Sequence, residues 1–204
     1  MLIIYLFSKI NKNLEEQRYT LFYQYINSNN LKTCELHTLA NIKYGKGLPT
    51  NKLLLKGYPV FGGNGIIGYN NVYMYKDPQI LISCRGAASG RVIISLPYSY
   101  ITNNSLIIEL FDYNYYEFYK TYFKLNEMYS YATGSAQPQI TIDNISKVNV
   151  PNPNSSFESI NKLLKELSKE ELSLYNQNEK LTKCRNMILP KLMSGEIDVS
   201  KIDI

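Results

Sequence analysis

Four loops in this sequence place small residues beside side chains that donate hydrogen bonds. They are Tyr44–Gly47, Gly62–Gly65, Arg85–Arg91 and Gly134–Gln139. Glycine lets backbone amides approach a phosphate closely, while Arg, Lys, Asn and Gln carry the donors that read base edges. For any one loop, glycine that only serves a tight turn between strands explains the pattern as well. Four such loops in one basic stretch of sequence favour contact with nucleic acid.

Basic residues are concentrated in the same part of the chain. Between positions 43 and 91 there is a single acid, Asp77, within a formal net charge of +5 for the whole chain. The seven basic residues of this stretch are Lys43, Lys46, Lys52, Lys56, Lys76, Arg85 and Arg91. A local excess of this kind suits a polyanion, because neutralising phosphates releases counterions. A solvated, lysine-rich surface is the alternative explanation.

The candidate contacts fall into two chemical classes. Lysine carries a compact charge on a flexible stem and suits phosphates, whereas forked or amide groups form paired hydrogen bonds to guanine or adenine. Asn64, Arg85 and Gln137 are therefore predicted to read bases. The complete set of predicted DNA-contact residues is Lys43, Lys46, Lys52, Lys56, Asn64, Arg85, Arg91, Ser135, Gln137 and Gln139.

No group of residues predicts catalysis. Gly63–Gly68 matches GxGxxG, but a dinucleotide site needs a helix opening from that loop and an acid about 20 residues further on. A turn-and-strand pattern follows instead, and the acid is missing. His37 is the only histidine and has no neighbours arranged as a catalytic triad, and the acids of the central region lack metal-binding spacing. We therefore expect no catalytic residue, no metal site and no cofactor bound by this chain.

The cysteines and the amino terminus indicate a compartment. Cys34, Cys84 and Cys184 are odd in number and lack CxxC spacing, which argues against a disulfide framework and favours a reducing cytoplasm. The opening apolar run, residues 1–7, is too short for a signal peptide or a membrane span. We expect a cytoplasmic protein with no membrane contact.

Three regions position the candidate residues, and together they predict an α+β fold. Residues 1–30 contain a helix, because apolar residues recur at three- and four-residue steps without Gly or Pro until an Asn-rich stop. Residues 31–153 form a strand-rich recognition domain, since short β-branched and aromatic runs alternate with Gly, Pro and Asn clusters. One helix, roughly Tyr113–Tyr131, interrupts those strands. Val150–Asn154 then forms a stiff, non-helical joint.

Residues 154–204 contain a long helix and a tail. Ser155 or Ser156 is predicted to cap the helix, and Pro190 to interrupt it after about Leu189. A strict seven-residue repeat of apolar residues runs along it: Ile160, Leu167, Leu174, Leu181 and Ile188. A sustained repeat of this kind is typical of a left-handed supercoil with a partner helix. We expect that partner to come from a second copy or a different half-subunit; packing of the helix on its own domain is the alternative.

Several stretches resemble one protein family, the specificity (S) subunit of Type I restriction–modification enzymes. The matching stretches are Tyr58–Tyr69, Ile80–Arg91, Tyr100–Ser105, Gly134–Thr141 and Leu181–Ile197. The last of these looks like the end of the family's distal spacer helix. The resemblance covers nearly the whole chain, and motifs in this order are specific to the family.

The resemblance implies a function and a set of partners. In the family, two target-recognition domains each read one half of a split site in double-stranded DNA, and two long antiparallel helices hold them apart. Methyltransferase (M) subunits supply S-adenosylmethionine and the methyl-transfer chemistry, and a separate restriction (R) subunit cuts. The chain itself would then be a non-catalytic, DNA-binding subunit.

The chain departs from the family plan by containing one recognition domain where the full subunit has two. Ile10–Phe22 resembles the tail of the family's central spacer helix, so the chain looks like the second half of a specificity subunit. Smaller departures are Cys84 before Arg85, and Asn103 where the family pattern favours an acid. Two alternatives remain open: a fragment or reserve cassette of a fused restriction–methylation enzyme, and a structural coiled-coil adaptor.

Overall fold

The computed structural model describes residues 2–134 and 137–196, with side chains from residue 9 onward. The chain forms two compact units, one of residues 25–161 and one of residues 1–24 together with residues from 162 onward. The α+β fold class is confirmed, because a strand-rich unit is accompanied by a long helix at each end of the chain. In the described part of the chain, no helix is long and apolar enough to cross a membrane.

Among its described residues, the unit of residues 25–161 contains nine short strands and two short α-helices. The strands are β1 (Thr33–Glu35), β2 (Ala40–Tyr44), β3 (Tyr58–Gly62), β4 (Gly65–Asn70), β5 (Ile80–Ser83), β6 (Val92–Ile94), β7 (Tyr100–Ile101), β8 (Ser105–Leu110) and β9 (Asn149–Pro151). The α-helices in the described part of the chain are α1 (Leu2–Ser28), α2 (Tyr116–Leu125), α3 (Ile142–Ser146) and α4 (Phe157–Met193).

Two sheets carry the recognition unit. One is antiparallel in the order β2-β8-β5-β6, and the other has the order β4-β3-β7, with β3 parallel to β7. A core cluster joins them through Phe61 and Ile101 of one sheet and Leu81 and Ile107 of the other, all at most 3% exposed. The apolar run of β5 is buried at all four positions, as expected for a central strand with both faces covered.

The helix predicted over Tyr113–Tyr131 is shorter than the sequence indicates. A 3₁₀ turn precedes it, and α2 itself ends at Leu125. Asn126 ends it by donating both its backbone N–H and its side-chain amide to the carbonyl of Tyr122, each at 2.9 Å. Met128 then donates its backbone N–H to Gly90, so a contact with the β5–β6 loop replaces the next helical turn.

The predicted joint at Val150–Asn154 is partly a strand. Asn149–Pro151 pairs antiparallel with Thr33–Glu35, which brings the two ends of the recognition unit together. Ser156 directly precedes α4, and the backbone carbonyl of Ser155 accepts from the backbone N–H of Glu158 in the first turn of the helix at 3.3 Å. Before the helix, the side-chain oxygen of Asn154 accepts from the backbone N–H of Ser156.

The second unit contains most of α1 and α4, and it buries part of the seven-residue stripe within the chain. Leu174 of the stripe is 5% exposed, and Leu164, which flanks the stripe, is 0% exposed. Arg18 of α1 is fully buried and donates to Glu171 at 3.1 Å, to Ser168 at 2.7 Å and to the carbonyl of Leu164 at 3.3 Å. Leu174 is therefore buried without a second chain, because α1 supplies a helix that packs against α4 in this unit.

The carboxyl-terminal part of α4 differs from this buried stretch. Met187, Ile188 and Leu189 are 69%, 46% and 49% exposed. The prediction that Pro190 ends the helix is wrong, since α4 continues to Met193. Proline removes one hydrogen bond to the carbonyl of Asn186, but that residue is exposed, so water can satisfy the freed oxygen.

Candidate nucleic-acid interface

One end of the four-stranded sheet gathers two of the predicted loops. Register places Tyr44 opposite Leu106, Ser83 opposite Ser105, and Ile82 opposite Val92. Because neighbouring strands in this sheet are antiparallel, β2 and β5 finish at the end where β8 and β6 begin. The loops that follow β2 and β5, which start at Tyr44 and Ser83, therefore leave the sheet at the same end, on either side of β8.

The β3–β4 turn lies at the same end. Strand β3 runs parallel to β7, with Phe61 opposite Ile101, and β7 leads through a tight turn into β8. The backbone N–H of Thr102 donates to Phe61 at 2.8 Å, and the hydroxyl of Ser105 donates to the carbonyl of Gly62 at 3.3 Å. These bonds hold the Gly62–Gly65 turn against the start of β8.

The fourth predicted loop joins from the other side. Gly86 donates its backbone N–H to Pro138 at 3.1 Å, and Ile140 donates to Cys84 at 3.1 Å. Thr133 and Gln139 exchange two backbone hydrogen bonds of 2.8 Å, which close this loop on itself. We call the surface made by residues 44–47, 62–65, 83–91, 102–105, 133–134 and 137–139 the loop end.

Glycine is required at the loop end where backbones approach closely. A Cβ at position 45 would lie 2.3 Å from the carbonyl oxygen of Thr102 and 2.5 Å from that of Ile101. At position 90, where φ is +104°, a Cβ would lie 2.4 Å from the backbone nitrogen of Tyr129. These glycines bring neighbouring loops together, so the explanation by tight turns accounts for part of the pattern.

Six of the ten predicted DNA-contact residues are exposed at the loop end: Lys46, Asn64, Arg85, Arg91, Gln137 and Gln139. Arg91 and Asn64 already interact, since the Arg91 guanidinium donates to the side-chain oxygen of Asn64. That bond links the β3–β4 turn to the β5–β6 loop. Ser135 lies outside the described residues.

Lys43 is held by an acid instead of lying free for a phosphate. Its ammonium donates to Glu109 at 3.0 Å, and β2 pairs with β8 so that the two residues are neighbours. The hydrogen bond to Glu109 raises the pKa of Lys43. Burial alone would raise the pKa of Glu109, but hydrogen bonds from Lys43 and Asn41 together outweigh burial and lower it. The pair is therefore charged on both sides and adds no net positive charge.

Lys52 and Lys56 are not with the other candidates. Leu54 bridges to Tyr69, and a Cβ on Gly57 would meet the carbonyl oxygen of Asn70 at 2.3 Å. This segment therefore lies beside the end of β4 opposite to the Gly62–Gly65 turn. Both lysines are exposed, but they belong to a different part of the surface from the loop end.

Sequence reasoning missed the turn between β7 and β8. Asn103 and Asn104 occupy it, at the middle of the loop end, and neither was among the predicted contacts. The signal was present, because two asparagines between apolar runs are typical of a turn. The sequence does not show that this turn lies between the other loops.

The residues considered for catalysis lie in a hairpin, on the surface or in the interior of the fold. Gly63–Gly68 runs through a hairpin turn into β4, so no helix opens from it as a dinucleotide site requires. His37 is exposed and contacts Glu35 and the carbonyl of Ser146. Burial raises the pKa of the Cys84 thiol, which keeps it protonated and unreactive. Within the described residues, no cluster of His, Cys, Asp or Glu could hold a metal ion.

Comparison with known proteins gives a family. Residues 28–183 match the family model of the Type I restriction modification DNA specificity domain. No curated protein matches the sequence.

The fold is shared with solved structures. The S subunit of a Type I restriction-modification system from M. genitalium is similar, with a TM-score of 0.65 and 20% identity over 93% of this chain and 55% of that one. A chain from a structure concerning complex assembly and conformational transition of the type I R-M system gives a TM-score of 0.54 and 14% identity, over 94% of this chain and 55% of that one. The chain thus spans about half the length of these structures.

Proposed function

Because the chain belongs to the family of Type I restriction–modification DNA specificity domains, we propose that its loop end binds double-stranded DNA and reads one short sequence. The observation that carries this proposal is the convergence of four loops at one end of the two sheets. Loops set on a rigid scaffold are a common place for recognition, because the scaffold fixes the position of each reading group.

The chemistry of the loop end suits both parts of recognition. The exposed Lys46 ammonium can bind a phosphate and fix the register of the protein on the duplex. The forked donor of Arg85 matches guanine, and the amide of Gln137 matches adenine, in the major groove. Arg91 and Asn64 can contribute after exchanging their mutual hydrogen bond for bonds to DNA.

We propose that the chain is the non-catalytic, sequence-reading part of a larger enzyme. M subunits would bring S-adenosylmethionine and transfer the methyl group, and an R subunit would cut. A second recognition domain, from another copy or a different half-subunit, would read the other half of a split site, and the exposed residues Met187–Leu189 of α4 are available for that partner. We propose that this enzyme acts on chromosomal DNA in the cytoplasm.

Two alternatives to this function are less well supported. A fragment of a fused restriction–methylation enzyme would not explain why the loop end carries donors without a catalytic group. A purely structural adaptor would not require exposed Lys46, Arg85 and Gln137 on adjoining loops. The family match favours recognition over both.

The test is selection of bound duplexes from a random library, followed by affinity measurements on the enriched sequence. Arg85→Ala or Gln137→Ala is expected to cost about 1–3 kcal/mol on that sequence and to relax preference at one base pair. Arg185→Ala and Gln177→Ala, which remove exposed side chains from α4, are the matched controls and are expected to leave preference unchanged. Enrichment of no sequence at any salt concentration would contradict the proposal.

A further inference from the structure

The turn between β7 and β8 is the point where the loop end is tied together. Gly45 donates its backbone N–H to Ser105 at 3.0 Å, and Lys46 donates to Ile101 at 2.9 Å. On the other side, Cys84 donates its backbone N–H to the carbonyl of Asn104 at 3.0 Å. The turn therefore contacts both the loop after β2 and the loop after β5.

The backbone of this turn is fixed, whereas one side chain on it is unused. Asn104 is exposed, and its carboxamide has no hydrogen-bond partner among the residues that the structure describes. Its neighbour Asn103 is half-buried, and its carbonyl accepts a contact from the thiol of Cys84 at 3.6 Å. Asn104 is thus a free amide on a backbone held from both sides.

The glycine at position 63 keeps space open beside that amide. A Cβ there would lie 3.3 Å from the carbonyl oxygen and 3.7 Å from the Cβ of Asn104, and 2.8 Å from the hydroxyl of Ser83. Any larger residue would crowd the turn. By contrast, the amide of Asn64 on the same β3–β4 turn is already engaged by Arg91.

From this geometry we infer that Asn104 is a specificity-determining residue that reads an adenine at the centre of the DNA site. The inference rests on the proposed function of the loop end. An asparagine amide can accept from N6 and donate to N7 of adenine in the major groove. Because the backbone of Asn104 is fixed, little conformational entropy is lost when those two hydrogen bonds form. Lys46, the proposed phosphate contact, is exposed on one flanking loop, and Arg85, the proposed guanine contact, is exposed on the other.

The test measures the affinity of Asn104→Ala and Asn104→Asp for the preferred duplex and for duplexes with each base pair replaced in turn. Asn104→Ala is expected to lose discrimination at one A·T pair by roughly 5- to 100-fold, with unchanged affinity for unrelated DNA. Asn104→Asp can only accept, so preference at that pair is expected to move towards cytosine, whose N4 amino group donates. Asn51→Ala, at an exposed position outside the loop end, is the control.

The outcomes separate this inference from the function on which it rests. If the wild-type chain shows a preference that both Asn104 variants keep at every position, the inference fails and the proposed function stands. A uniform loss of affinity for all sequences would also overturn it, because it would indicate a phosphate contact. If Asn104→Ala unfolds, the same measurements are made on Asn104→Asp and Asn104→Gln, which retain a polar side chain. A wild-type chain with no preference would defeat the proposed function itself.

Discussion

Lys43 and Lys46 lie three residues apart, and the structure gives their charges different surroundings. The ammonium of Lys43 is paired with Glu109, while Lys46 is exposed on the loop that follows β2. From the sequence alone the two residues are equivalent. The difference arises from the register of β2 on β8, which brings an acid from 66 residues away to Lys43.

This difference predicts unequal effects on DNA affinity. Lys46→Ala is expected to weaken binding to all sequences alike and to lower the slope of log affinity against log salt by about 1. Replacing both Lys43 by Ala and Glu109 by Gln removes an ion pair without changing the net charge, so the salt slope of this double variant is expected to stay close to that of the wild type. Titrations at several salt concentrations measure both slopes. Equal losses for the two variants would show that Lys43 leaves Glu109 to reach DNA.

At the residue scale, the sequence predicts which residue types contact DNA but does not show which of them lie together. Lys46, Arg85 and Gln137 lie together on exposed loops. Lys52 and Lys56 do not join them, because the segment that carries them packs beside the far end of β4. Such separations depend on tertiary packing, which residue types and spacing do not encode. The same limit explains why Asn104 was missed.

The close approach of the loops at the loop end requires glycine at particular positions. This predicts that a substitution of Gly45, in the loop after β2, lowers the stability of the fold. Gly45→Ala would place a Cβ against the carbonyl oxygens of Thr102 and Ile101, so it is expected to destabilise the fold by about 1–3 kcal/mol. Gly47→Ala is the matched control, because nothing lies within 4 Å of its Cβ position. Urea unfolding of the two variants measures the difference. Equal stability would mean that the β2 loop does not approach the β7–β8 turn this closely.

The helical unit contains an ion pair with one buried partner, which supports a second prediction at this scale. Arg18 is fully buried and Glu171 is 22% exposed, so Arg18→Ala, which removes a hydrogen bond to a charged group, is expected to lower the free energy of unfolding by about 1.5–3 kcal/mol. Lys12→Ala removes a 3.8 Å surface pair whose side chains are 78% and 65% exposed, and about 0–1 kcal/mol is expected. Unfolding followed by circular dichroism at the helical signal compares them. Matching losses would contradict the packing of α1 on α4 through Arg18.

Elements with a strong local pattern were predictable, and those decided by distant contacts were not. The amino-terminal helix and the apolar strands β5, β6 and β8 follow from periodicity and composition. After α2 ends at Leu125, Met128 bonds to Gly90 of the β5–β6 loop, a distant contact that no local pattern reveals. The strand at Asn149–Pro151 likewise requires β1, more than 100 residues earlier, as its partner.

At the scale of the whole molecule, the seven-residue stripe of α4 has two surroundings. Leu174 of the stripe is buried in the unit that α4 shares with α1, whereas Ile188 is 46% exposed, together with its neighbours Met187 and Leu189. The sequence argument assigned the entire stripe to a partner chain because it did not consider α1 as a covering helix. Pairing of the exposed part with a second copy or a different half-subunit stays a prediction, and it fits a chain that spans about half of the S subunit it resembles.

The measurement that tests the central claim most directly is a map of DNA methylation in cells that produce the chain together with its M subunit. We predict a split methylated motif in which one half is the word read by the loop end, and loss of that half for Arg85→Ala but not for Arg185→Ala. An inverted repeat would indicate two copies of this chain, and two unrelated halves would indicate a different partner half. Methylation without a motif, or the same motif in the absence of this chain, would contradict the assignment of sequence recognition to it.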